Sequence, residues 1–197
     1  MNTPTPLTLE LNGVRLEPLT QQHAPGLLAA VSDGDLWTLR VTSAPEADRL
    51  EAYIATALAM YPARLPFAVV DVASGVVLGT TSYHDIVPAL DRVEIGYTFY
   101  AKSVQRSHVN TSCKLMLLRH AFDTLGCAVV GFRTDNFNHA SQAAIERLGA
   151  KQDGVLRHHA ARRDGTVRDT YIYSIVRGEW PEIQAHLLYK LAQRAAR

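Results

Sequence analysis

The chain has 197 residues, of which 47% are hydrophobic, and a formal net charge of +1. This size allows one domain with a substantial core, and the near-neutral charge argues against general affinity for nucleic acids. No apolar run approaches the roughly 20 residues of a membrane span, and the amino terminus lacks a charged stretch followed by an apolar segment. Because Cys113 and Cys127 are too few and too poorly spaced for disulfides or zinc, we expect one unprocessed domain over residues 1–197, in the cytoplasm, without a metal site.

The first half of the chain predicts a hairpin, two helices and three antiparallel strands. Apolar and polar residues alternate on both sides of Asn12-Gly13, which is a strong hairpin signal. Thr20 can cap a helix that runs to about Ser32, and the capping-box spacing of Ser43 and Glu46 predicts a second helix. The predicted segments are hairpin arms 7–11 and 14–19, helices 20–32 and 45–63, and strands 66–71, 76–83 and 92–99.

The centre of the chain joins a strand-like run to an amphipathic helix through a polar turn near residues 100–110. Leu115, Leu118, Phe122 and Leu125 lie on one face of the predicted helix. The free N–H groups and the positive dipole end of a helix start attract phosphate. This junction therefore predicts an anion site, with Arg106 or Lys102 available for charge-assisted contacts.

The second half predicts a strand, a helix, a hairpin and a terminal helix. Cys127–Thr134 is almost entirely apolar, and a strand-helix-strand order makes it parallel to the strand before the central helix. Asn138 or Asp135 can begin the next helix, which Gly149 ends. The remaining predicted segments are hairpin arms 151–163 and 167–176, and a helix that starts at Trp180.

In this order of elements, four motifs resemble the GCN5-related N-acetyltransferase (GNAT) family, especially the RimJ/RimL-like branch that acts on ribosomal-protein amino termini and small amines. They are the loop 105–110, the helix 138–150, the hairpin 153–175 and Glu-Trp-Pro at 179–181. The resemblance covers nearly the whole chain. It implies an α/β fold of the α+β type: a mixed, mostly antiparallel sheet of about seven strands, a splayed parallel pair at its centre, about four helices and a C-terminal helix.

The resemblance also implies transfer of an acetyl group from acetyl-coenzyme A directly to a primary amine of a small molecule or a protein amino terminus. The implied cofactor-binding residues are Ile95, Tyr97, Gln105, Arg106, Ser107, His108, Val109, Asn110, Thr111, Asn138 and Ser141. The loop departs from the family pattern because His108 and Asn110 replace two glycines. Asn and His adopt positive φ more often than most non-glycine residues, so we expect binding to be retained.

Three side chains are candidates for proton transfer. Glu94 is the favoured general base, although it could instead pair with an arginine on the sheet. His84 is the alternative base, beside Asp85, whose side chain we expect on the opposite face of the strand. Many family members carry a tyrosine acid at the position of Ile145, so the resemblance leaves Ser141 as the replacement hydroxyl.

The acceptor and the assembly stay open at this stage. The expected partners are acetyl-coenzyme A and an amine, with neither nucleic acid nor membrane, and the protein is expected to be a monomer or homodimer. The loops 33–45 and 84–91 are expected to form the acceptor walls. The altered loop and the missing tyrosine favour an alternative function, in which the protein is a catalytically weak coenzyme A-binding sensor or assembly module.

Overall fold

One eight-stranded sheet crosses the protein in the order β1-β2-β3-β4-β5-β6-β8-β7. The computed structural model describes residues 1–195, so the last two residues of the predicted domain lie outside it. The strands are β1 (Leu9–Leu11), β2 (Val14–Pro18), β3 (Arg64–Asp71), β4 (Val77–Val87), β5 (Arg92–Tyr100), β6 (Val129–Asp135), β7 (Lys151–Ala161) and β8 (Val167–Val176). The helices are α1 (Ala24–Ser32), α2 (Leu50–Ala59), α3 (Val109–Arg119), α4 (His139–Glu146) and α5 (Trp180–Ala195).

The mixed, mostly antiparallel sheet and the five helices confirm the predicted fold class. The sheet has one strand more than expected, because both arms of the first hairpin join it. Asn12 and Gly13 adopt φ values of 51° and 74°, the left-handed pair that a tight two-residue turn requires. As a result, β1 pairs with β2, and β2 in turn pairs with β3.

The second predicted helix was placed too early and too long. It is preceded by a 3-10 turn and begins as α2 only at Leu50. The expected capping box does not form, because the Glu46 carboxylate turns towards Arg49 at 3.4 Å and Arg163 at 3.8 Å. At the other end, Pro62 cannot continue a helix, and α2 stops at Ala59.

The parallel pair β5 and β6 is splayed, as predicted. The strands pair only where Arg92–Glu94 lies beside Val129–Gly131. Beyond these residues β5 runs to Tyr100 and β6 runs to Asp135 without pairing to each other. The backbone edges that face this gap are therefore free of strand partners.

A β-bulge in β5 lies beside the gap. Thr80 pairs with Phe99 and Ser82 pairs with Gly96, so Tyr97 and Thr98 together lie opposite one residue of β4. Tyr97 has a φ of 50°, which is unusual for a bulky residue. The bulge directs the Tyr97 ring towards His84 on one face of the sheet, while the Thr98 hydroxyl binds the Lys114 ammonium of α3 at 2.8 Å on the other.

Two apolar layers hold the helices against the sheet. On one face α3 and α5 pack on the larger core, which includes Phe67, Val93, Ile95, Leu117, Phe132 and Leu187. On the other face α1 and α2 pack on Ala68, Val70 and Phe99. Among residues 1–195, no helix is long and apolar enough to cross a membrane.

Trp180 anchors α5 to the helical turn that follows α3. Its indole ring stacks on Phe122 with centroids 5.3 Å apart, and its N–H donates to Asp123 Oδ1 at 2.8 Å. The side chain is buried. Trp180 therefore contributes both apolar burial and a satisfied polar group.

Replacing Trp180 with alanine should lower the free energy of unfolding by about 3–5 kcal/mol, the range for truncating a large buried aromatic side chain. Urea unfolding of the full chain measures this change. Tyr189→Ala in the same helix is the matched control, because Tyr189 is 63% exposed. Equal losses in the two variants would contradict the assigned anchoring role.

Candidate active site

The start of α3 presents unbonded main-chain N–H groups. His108 is the N-cap residue and its side chain makes no capping hydrogen bond. The Val109 N–H donates to Ser107 Oγ at 3.2 Å, and the Ser112 N–H donates to the His108 carbonyl. Within residues 1–195, the N–H groups of Asn110 and Thr111 have no acceptor. Such a helix start is suited to binding an anion.

The loop before α3 places its positive φ elsewhere than expected. Arg106 adopts a φ of 60°. His108 has a φ of −73° in the right-handed region, and Asn110 lies inside the helix. The expectation that His108 and Asn110 replace glycine through positive φ was therefore wrong, because the chain reverses at Arg106 before the helix begins.

A cleft of about 760 Å³ opens beside the loop that leads into α3. Its walls are the β1-β2 turn at Asn12, the loop at Arg106 and His108, and the last turns of α5. Arg194 of α5 contributes its guanidinium to the cleft and donates to the Arg106 carbonyl. No pattern in the sequence pointed to Arg194, because α5 reaches the loop only through its packing against α3.

On the opposite face of the sheet, the Glu94 carboxylate is buried among other charged side chains. Arg133 binds its two carboxylate oxygens through Nε and Nη2, both at 2.6 Å. The same Arg133 Nη2 donates to Asp85 at 2.9 Å, and Arg92 also donates to Asp85. Glu94 thus pairs with an arginine, the alternative that the sequence left open, and Arg133 joins β5 to β6 where the strands begin to separate.

A close approach at Gly131 makes this ion pair possible. Gly131 lies directly beside Glu94 across the β5-β6 pair. A Cβ atom on Gly131 would come within 2.9 Å of Glu94 Cγ, which is closer than real contacts allow. The missing side chain therefore leaves the space in which the Glu94 carboxylate turns towards Arg133.

His84 lies over the bulge and is neutral. Burial lowers the pKa of His84 to about 4, with a further contribution from Arg133. Its Nε2 is 3.9 Å from Glu94 Oε2, and its ring meets the Tyr97 ring edge-on at 5.0 Å between centroids. The prediction that the Asp85 side chain lies on the opposite face from His84 was wrong. Asp85 adopts a φ of 46°, which interrupts the alternation of side chains along the strand, and its carboxylate therefore pairs with Arg133 on the His84 face.

Helix α4 and its N-cap residue, Asn138, follow the carboxyl end of β6. Asn138 caps the helix, its Oδ1 accepting the Ser141 N–H at 3.0 Å, while Nδ2 donates to the Val41 carbonyl at 3.5 Å. Ser141 is half-buried in the first turn, and Ile145 is buried in the core. Asn138 thus caps α4 and also reaches the loop that follows α1.

Sequence reasoning missed two arginines on the Glu94 face. Arg64 of β3 is 2% exposed, with its guanidinium carbon 3.8 Å from the centroid of the Tyr97 ring. Arg133, in a run that otherwise reads as a buried strand, supplies the main partner of Glu94. Arginine in an apolar strand was the signal that could have identified both residues.

Among the described residues, no group of three or more His, Cys, Asp or Glu side chains could hold a metal ion.

The neutral state of His84 should make stability depend on pH. Because its folded pKa of about 4 is below the ordinary value of 6.5, stability is complete above about 6.5 and is lost as the pH falls towards 4. Between pH 7 and pH 5, urea unfolding should show a loss of about 2 kcal/mol that His84→Gln does not show. His120, also buried, titrates in both proteins and cancels in the difference. Identical losses would contradict a buried neutral His84.

Comparison with known proteins places this geometry in a family. The sequence model of the acetyltransferase (GNAT) domain matches residues 14–151. A GCN5-related N-acetyltransferase from Brucella melitensis is 30% identical, and its crystal structure covers 95% of this chain and 86% of its own with a TM-score of 0.85. The uncharacterized N-acetyltransferase YoaA of Bacillus subtilis (strain 168) is 24% identical over 174 residues, 86% of this chain and 96% of its own.

A more distant structure shares the fold. Mycobacterium smegmatis RimJ, in complex with CoA-disulfide, matches 98% of both chains with a TM-score of 0.77 at 21% identity. At that identity the likeness concerns the fold, and the RimJ/RimL-like branch stays a prediction. The family match extends from β2 to the start of β7 and includes both sides of the candidate site. The protein therefore belongs to the GNAT acetyltransferase family and is an acyltransferase of the GNAT type.

Proposed function

We propose that this protein transfers the acetyl group of acetyl-coenzyme A directly to a primary amine, within a complex that holds both substrates. The observation that carries the proposal is the gap between β5 and β6, which opens beside the bulge in β5, the strand whose following loop leads into α3. A pantetheine arm in the gap would meet unpaired backbone near Ile95 and Tyr97. Its pyrophosphate would reach the amides of residues 105–111.

The charges around the helix start support this placement of the pyrophosphate. Arg106 and Arg194 both line the cleft beside Ser107 and His108, the residues that lead into the free amides of Asn110 and Thr111. Guanidinium groups form strong, charge-assisted hydrogen bonds with phosphate oxygens. The helix dipole adds a further favourable term. The pyrophosphate would thus be bound mainly by backbone and arginine, so the site does not depend on glycine at 108 or 110.

The chemistry needs a base for the amine, a donor for the developing oxyanion and a proton for the departing thiolate. We assign the proton-accepting role to His84, because its imidazole lies over the bulge with its ring edge-on to Tyr97. Burial lowers the pKa of His84, so the role requires a nearby charge that stabilises the imidazolium as it forms. Glu94, the base favoured from sequence, already accepts two charge-assisted hydrogen bonds from Arg133. Its negative charge would instead stabilise the imidazolium that forms at 3.9 Å.

Proton transfer then completes the exchange of bonds. As the amine nitrogen bonds to the thioester carbon, His84 takes the proton that the nitrogen loses, and an N–H group of the bulge would stabilise the oxyanion. When the C–S bond breaks, the electron pair leaves with sulfur. Ser141 is our candidate donor of the proton that makes the free thiol. The products are an N-acetylated amine and coenzyme A.

Titration calorimetry with acetyl-coenzyme A, followed by thiol release over a panel of amines, tests this proposal. Binding together with turnover of at least one amine is expected. Binding without turnover of any amine would favour the alternative function as a coenzyme A-binding sensor or assembly module, for which the replacement of both loop glycines is the specific observation. No binding at all would contradict both functions.

Asn110→Pro should weaken acetyl-coenzyme A binding about tenfold or more, the effect of losing one charge-assisted hydrogen bond worth roughly 1.5–3 kcal/mol. The chain already carries proline at this second helical position in α1 and α5, at Pro25 and Pro181, so the helix should persist. Asn110→Ala keeps the N–H and is the matched control. If both variants bind equally well, the amide of residue 110 does not bind the cofactor.

His84→Gln should lower kcat by about 10²- to 10⁴-fold, the usual contribution of a general base. The KM for acetyl-coenzyme A should change little, because His84 lies on the sheet face opposite α3. Steady-state kinetics at several pH values measure both quantities. A variant that keeps native kcat at neutral pH would exclude His84 as the base and return the role to Glu94.

A further inference from the structure

Arginines outnumber carboxylates on the sheet face that carries Glu94. The hydrogen-bonded register places Arg64, His84, Glu94 and Gly131 in one row from β3 to β6, all directed to this face. On β3, β4, β5, β6 and β8, the charged residues of this face, with Arg162 at its edge, are Arg64, Arg92, Arg133, Arg162 and Arg168, with Asp85, Glu94 and Asp135. The carboxylates are all paired, to Arg92, Arg133 or Arg162. Within residues 1–195, no ion pair includes Arg64 or Arg168.

Arg64 is a buried cation with neutral partners. Its Nε donates to Ser82 Oγ at 3.0 Å, its Nη2 donates to the Tyr53 hydroxyl at 2.9 Å, and its guanidinium lies against the Tyr97 ring. Removing a guanidinium from water costs several kcal/mol unless an anion compensates it. The fold therefore keeps a positive charge beside the bulge that no carboxylate of the described chain neutralises.

Arg168 of β8 is a second arginine on this face that forms no ion pair in the described chain. Its Nε is buried and has no hydrogen-bond partner in the described chain. The nearest carboxylate, Asp135, already accepts two hydrogen bonds from Arg162, at 2.6 and 3.0 Å. Burial lowers the pKa of Arg168, Asp135 opposes this shift, and repulsion by Arg162 and Arg133 adds to it. A buried donor without a hydrogen-bond partner, close to a carboxylate that Arg162 already occupies, is suited to an anionic ligand.

Access to this face is narrowed by contacts between two distant segments. The loop after α1 is tied to the tip of the β7-β8 hairpin, where Arg40 Nε donates to Asp164 at 2.8 Å. Arg163 donates to the carbonyls of Trp37 and Ala44 in the same loop. These contacts close the outer side of the face, and they favour a small acceptor over a folded protein.

We propose that the acceptor is a small amine that also carries a carboxylate, as amino acids do, and that Arg168 binds this carboxylate while Arg64 adds its field. The inference rests on the proposed function, since it assumes that the amine attacks a thioester at the Tyr97 bulge. An acceptor that approached Tyr97 from this face would meet Arg64, which lies against the Tyr97 ring, and would share the face with Arg168 of β8. A polyamine, or an amino terminus followed by basic residues, would instead place positive charge there.

Matched acceptors test the carboxylate directly. The full-length protein is supplied with acetyl-coenzyme A and with free amino acids, their carboxamides and their decarboxylated amines, and thiol release is followed. We expect kcat/KM for an accepted amino acid to exceed that of its amide at least tenfold. In Arg168→Gln this ratio should fall to near one, whereas in Arg119→Gln, exposed on α3, it should be unchanged. Equal or better rates with amides, polyamines or peptides, or a ratio that survives in Arg168→Gln, would overturn the proposal.

A binding measurement makes the outcome independent of turnover. Calorimetric titration of the coenzyme A-bound protein with an N-acetyl amino acid and with its N-acetyl amide compares the same carboxylate without catalysis. We expect at least tenfold tighter binding of the acid, lost in Arg168→Gln. Acid-selective binding without turnover of any amine would contradict the proposed function and leave the carboxylate site standing. Turnover of amines without any acid preference would overturn the site alone.

Discussion

The bulge in β5 is the constraint on which the candidate active site depends. One extra residue bends the strand away from β6, and the two strands lose their pairing after Glu94. The same residue turns Tyr97 to one face and Thr98 to the other. Each side chain then meets a buried cation, Arg64 against Tyr97 and Lys114 against Thr98. Burial lowers the pKa of Lys114 to about 8, so the bulge lies between two charges that are both costly to bury.

The bulge also lies between the two proposed binding sites, which are on opposite faces of one sheet. On the α3 face, free amides and arginines at a helix start provide an anion site that needs no glycine, because the reversal of the chain occurs at Arg106. On the other face, Arg133 holds Glu94 in place and leaves a neutral imidazole over the bulge. Cofactor and acceptor sites of this kind meet only at the gap, which suits direct transfer between two bound substrates.

On the sheet face that carries Glu94, where we propose that the acceptor binds, polar side chains fix the positions of the charged groups. The apolar core holds the strands beneath them in place. The paired carboxylates are satisfied by arginines from neighbouring strands, so they are held in fixed positions. The unpaired arginines remain as a local surplus of positive charge. Contacts between the hairpin tip and the loop after α1 add an outer wall that strand pairing alone would not provide. The loop 33–45, which the sequence predicts as an acceptor wall together with 84–91, thus contacts residues 161–167, which had not been expected at this position.

The sequence by itself determined the order of elements, the parallel pair, a helix after the polar turn near residues 100–110 and the hairpin at Asn12-Gly13, because these depend on local periodicity and turn chemistry. Strand position also selected Glu94 and His84 as candidates, and the family resemblance selected Asn138. Only the tertiary structure decided what these side chains contact. Periodicity cannot reveal that Gly131 leaves room for Glu94 beside Arg133, that Asp85 breaks strand alternation, or that Arg194 reaches the α3 loop. These contacts join residues far apart in the chain, and their geometry follows from strand register and helix packing.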